Sequence, residues 1–103
     1  MACRRIMMAE PLRPLDGVDA MVATISRHAT ALMGEDVAPT AVPLYTDARH
    51  YAAAGIPTVL YGAGPHTILE ANAHAADEHL QLSDLRAATE VVALSLADLL
   101  RAA

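Results

Sequence analysis

A chain of 103 residues and 10.8 kDa holds one small domain at most, with a core of limited size. Hydrophobic residues make up 54% of it, which excludes disorder, yet Trp and Phe are absent, so the core is built from Leu, Val, Ile, Met and Ala. A net charge of -5 excludes a basic nucleic-acid-binding surface, and the single cysteine, Cys3, excludes both a disulfide framework and a cysteine-rich zinc site.

The basic start, Arg4-Arg5, precedes only Ile6-Met7-Met8-Ala9 before Glu10, too short a stretch for the core of a signal peptide. No apolar run reaches the roughly 18 residues of a membrane span, so a soluble protein of the reducing cytoplasm is expected. Residues 4–9 read as a short strand, followed by a connector between Pro11 and Pro14. From Val18 to Met33, the residues Val18, Met21, Val22, Ile25, Ala29, Leu32 and Met33 recur at helical spacing. Asp16 is placed to cap this helix and Gly34 to end it. His28, beside the apolar stripe, reads as a boundary histidine rather than a ligand.

A strand is expected over 41–45. Thr46 then caps a short helix over about 47–54, which Gly55 closes. Residues 56–61 are apolar without alternation, the pattern of a strand covered on both faces, with Pro57 limiting pairing at its start. Strand, helix and strand predict one βαβ unit and therefore an α/β fold. Gly62-Ala63-Gly64-Pro65 breaks the strand, and residues 65–81 read as a polar loop carrying His66, His74 and His79. A final helix is expected over about 84–101, capped by Ser83. Its charges (Asp84, Arg86, Glu90, Asp98 and Arg101) fall within an arc of roughly 160°, and the apolar remainder is expected to pack on a sheet.

Two residues stand out chemically. His74 follows a strand and a glycine turn, near the carboxyl end of a predicted parallel strand, where open α/β sheets bind ligands. Its imidazole suits zinc, and Asp77 and Glu78 are near enough in sequence to orient it; a solvated loop histidine is the plainer alternative. Arg49 lies at the start of the short helix, where it can grip an anion such as a substrate carboxylate, pair with Asp47, or stand as a surface charge. Gly62 and Gly64 either admit a ligand close to the backbone or only make a turn. His50 and His66 have no evident partner, Cys3 reads as inert, and no P-loop, dinucleotide-binding pattern or nucleophile elbow is present.

Thr46-Asp47-Ala48-Arg49, Ala54-Gly55-Ile56-Pro57-Thr58-Val59, Tyr61-Gly62-Ala63-Gly64, Ala73-His74-Ala75-Ala76-Asp77-Glu78 and Leu82-Ser83-Asp84-Leu85 occur in a fixed order and spacing. In both respects residues 44–100 resemble the C-terminal segment of the zinc-dependent aminoacylase/carboxypeptidase metallohydrolases, the family of acetylornithine deacetylase, succinyl-diaminopimelate desuccinylase and glutamate carboxypeptidases. The resemblance implies a partial phosphorylase/hydrolase-like catalytic domain over residues 16–103, with a short mixed or parallel sheet flanked by helices. Residues 1–15 then correspond to the last strand of a lid domain and its connector. It further implies that His74 is a ligand of the second of two zinc ions and that Arg49 holds the substrate carboxylate. Gly62 and Gly64 line the pocket, and Asp47, Asp77 and Glu78 support these groups from behind.

The family's His-x-Asp motif and Glu-Glu pair are absent from this sequence, and with them four of the five usual metal ligands and the general base. The expectation is therefore a fragment of an amide-cleaving hydrolase, inactive by itself and binding zinc weakly or not at all. Three alternatives stand beside it: a split subunit completed by a separate N-terminal chain, a non-catalytic binding or homo-oligomerisation module, and a metal site assembled from His74 and His79 across subunits. No nucleic acid or membrane partner is expected.

Overall fold

A computed structural model describes residues 11–41, 45–64 and 69–103 of the chain. The strand expected over 4–9, the centre of the one expected over 41–45, Cys3 and His66 lie outside these residues. Three helices follow one another: α1 (Val18–Met33), α2 (Ala48–Ala53) and α3 (Leu82–Ala102).

The ends of α1 are set by backbone geometry rather than by side-chain caps. Gly17 precedes it at φ 97 and Gly34 follows it at φ 74, donating its N–H to the Thr30 carbonyl. Both angles lie in the left-handed region, where a side chain would crowd the backbone, so glycine is the residue that fits. Asp16, expected as the cap, makes no capping bond; the Val18 N–H instead reaches the Leu15 carbonyl at 3.1 Å. Beyond Gly34 the chain is tied back to α1 where the Val37 N–H donates to the Thr30 hydroxyl at 3.0 Å.

α2 ends in a Schellman motif. The Gly55 N–H reaches the Ala52 carbonyl and the Ile56 N–H reaches the Tyr51 carbonyl, both at 3.0 Å, with Gly55 at φ 79. α3 begins at Leu82 after an extended Gln81, so Ser83 lies inside the first turn and does not cap it.

The expected α/β architecture is not formed. Among the described residues there is no strand and no sheet, and about half of them are helical. The helix of the predicted βαβ unit is present, but residues 56–61 form neither helix nor strand. A strand exists only where a second backbone takes up its N–H and C=O groups. Pro57 lacks the donor, and Ile56 and Leu60 are half exposed rather than covered on two faces. The strand expected over 56–61 is therefore not formed, because pairing depends on a neighbour that the described chain does not provide.

α3 accordingly packs on α1, not on a sheet. The contact is made through small side chains: Ala29 of α1 and Val91 of α3 are fully buried, with Ala88 and Ser95 of α3 beside them. Small residues bring the backbones close and bury little apolar area. At one edge the interface carries an ion cluster. Asp98 Oδ2 of α3 accepts from Arg27 Nη2 at 2.9 Å and from His28 Nε2 at 2.8 Å, both on α1, while Arg101 Nη1 lies 3.7 Å from Oδ1. His28 is thus the boundary residue expected, and its partner is 70 positions away. The His28 hydrogen bond, followed by that of Arg27, holds the Asp98 carboxyl below the usual carboxylate range. No helix among the described residues is long and apolar enough to cross a membrane.

Two outcomes follow from this interface. Because the folded chain keeps Asp98 ionised at lower pH than the unfolded chain does, its contribution is complete above about pH 4 and drains away as the pH falls further. Asp98→Asn should lower stability at neutral pH and flatten that acid limb in denaturant titrations repeated across pH. The Ser95 hydroxyl is buried without a hydrogen-bond partner. Ser95→Ala removes an orphaned polar group from a helix, and thermal unfolding should show a stabilisation of about 1 kcal/mol.

Candidate functional site

Arg49 is the second residue of α2 and is half-buried. Its guanidinium lies over the Tyr45 ring, 3.7 Å from the centroid, and Nη1 donates to the Thr46 carbonyl at 3.5 Å. The ring holds the guanidinium plane by a cation–π contact, and most of the five N–H groups keep their hydrogen-bonding capacity. Asp47 does not pair with it. That carboxylate is exposed and lies 4.0 Å from His50 Nε2, and among the described residues Arg49 has no carboxylate partner. With six residues, α2 has too few aligned peptides for a substantial dipole, so any pull on an anion there comes from the guanidinium itself.

Gly62 and Gly64 follow residues 56–61. A Cβ built at either would meet nothing within 4 Å, and neither has a positive φ. No packing within the described chain requires glycine at these two positions.

His74 sits in a tight turn whose residues bond chiefly to one another. The Ala75 N–H reaches the Asn72 carbonyl at 2.9 Å, the Glu78 N–H the Ala75 carbonyl at 3.2 Å, and the His79 N–H the carbonyl of buried Ala71 at 3.0 Å. The two carboxylates hold the turn rather than the imidazole. Glu78 Oε2 accepts the His74 backbone N–H at 3.0 Å, and Asp77 Oδ2 accepts from Asn72 Nδ2 at 3.0 Å. His79 Nδ1 lies 2.9 Å from the Asp77 carbonyl, which occupies that nitrogen locally. The His74 ring is exposed and makes no hydrogen bond among the described residues, and its backbone is left-handed, at φ 67.

The described residues do not fit a two-zinc centre. No three His, Cys, Asp or Glu side chains among them converge on a point. A structural or catalytic zinc needs three or four such ligands, and here one imidazole stands without others.

An apolar groove of about 770 Å³ runs between α1 and the segments 37–41 and 58–61. Val18, Val22 and Ile25 line one wall, and Val59, Leu60 and Tyr61 another. The Tyr61 hydroxyl is buried without a hydrogen-bond partner, and burial raises its pKa. Sequence reasoning did not find this groove. Its walls come from separate segments of the chain, and no local pattern joins them.

The sequence matches the profile of peptidase family M20/M25/M40 over residues 6–98. No curated protein and no solved structure matches the chain.

The left-handed backbone of His74 gives a direct test of what the turn requires. A non-glycine residue there costs on the order of 1 kcal/mol, so His74→Gly should slow amide exchange at Ala75, Glu78 and His79 about two- to fivefold. Glu78→Ala removes the acceptor of the His74 N–H and should speed exchange of that amide about fivefold, as expected for about 1 kcal/mol.

Proposed function

Because the chain belongs to peptidase family M20/M25/M40, we propose that it forms the substrate-gripping, C-terminal part of a catalytic domain that hydrolyses the amide bond of N-acyl amino acids or small peptides. The family is generally metal-dependent. The observation that carries the reading is the family match over residues 6–98. It is supported by an arginine fork that rests on an aromatic shelf and has no acid partner among the described residues. In this assignment residues 16–103 belong to the catalytic domain and residues 1–15 to the end of a lid domain and its connector. The narrower likeness to acetylornithine deacetylase, succinyl-diaminopimelate desuccinylase and glutamate carboxypeptidases rests on the order of the Thr46-Asp47-Ala48-Arg49, Gly62-Ala63-Gly64 and Ala73-His74-Ala75-Ala76-Asp77-Glu78 motifs.

Arg49 is assigned to the free carboxylate of the substrate. A guanidinium offers two parallel N–H groups that match both carboxylate oxygens, and the Tyr45 ring beneath it fixes the plane in which they point. Gly62 and Gly64, which no internal contact requires to be glycine, let the substrate backbone come close to the chain. His74 is the candidate metal ligand of this chain, for zinc in the proposed enzyme, on a turn that Glu78 and Asp77 keep in shape. Since the described residues do not form a metal centre, no bond-breaking step is assigned to them. The isolated chain is proposed to bind carboxylates and to turn nothing over.

Nuclear magnetic resonance titration of the purified chain with an N-acetyl amino acid tests the assignment. Shifts should concentrate at Arg49 and residues 61–64, and Arg49→Lys, which keeps the charge but loses the fork, should weaken binding about tenfold. Shifts that map elsewhere, or that survive Arg49→Ala, would overturn the carboxylate assignment. Chelator-sensitive hydrolysis by the purified chain in added zinc would overturn the proposed inactivity.

A further inference from the structure

We draw no further inference here: the strongest candidate, the apolar groove between α1 and the segments 37–41 and 58–61 with the unpartnered Tyr61 hydroxyl in its wall, carries nothing because nothing in the structure shows what covers it.

Discussion

The contact of α1 with α3 is the constraint on which the described structure depends. It joins residues from opposite ends of the chain and is the contact that binds one helix to another. Its centre is made of alanine, valine and serine, which permit close approach but remove little apolar area from water. Orientation is set at the edge, where one carboxylate of α3 receives a guanidinium and an imidazole from adjacent residues of α1. Partly exposed ion pairs contribute modestly to stability, but two donors on one oxygen restrict how the helices can slide or rotate. With a core this thin, that restriction decides register.

The candidate site is built differently. Its parts are short segments held by their own bonds: a guanidinium on the ring four residues before it, and a histidine turn fastened by Asn72, Asp77 and Glu78. Each part is locally self-sufficient, so each can hold its shape without a surrounding sheet. A metal centre is not local in this sense, because its ligands must converge from several elements. The described residues hold these local pieces in shape but bring no three potential ligands together.

Helices were legible for a physical reason. Their hydrogen bonds close within four residues, so apolar spacing and glycine punctuation in a single stretch suffice; α1 runs over the residues expected, and Gly34 and Gly55 stop α1 and α2 where anticipated. Caps were less legible, since Asp16 and Ser83 have suitable side chains but the backbone turns through Gly17 and Gln81 instead. The family was legible from motif order, which survives whatever the motifs pack against. Arg49 and His74 were singled out by chemical type, by their places at a helix start and after a glycine turn, and by motif order. The sequence did not indicate that the partner of Arg49 would be the Tyr45 ring rather than the Asp47 carboxylate.

The amino-acid order alone determined three helical segments, two glycine stops, the acidic surface and membership of a metallohydrolase family, because each follows from neighbours within a few residues or from ordered motifs. Tertiary structure alone decided that the apolar run after Gly55 stays unpaired, that α3 lies on α1 and leaves Leu82, Leu85 and Leu96 exposed, and that His28 finds Asp98. A ladder, a helix contact and an ion cluster each need two distant stretches of chain in one place, and no local pattern carries that information.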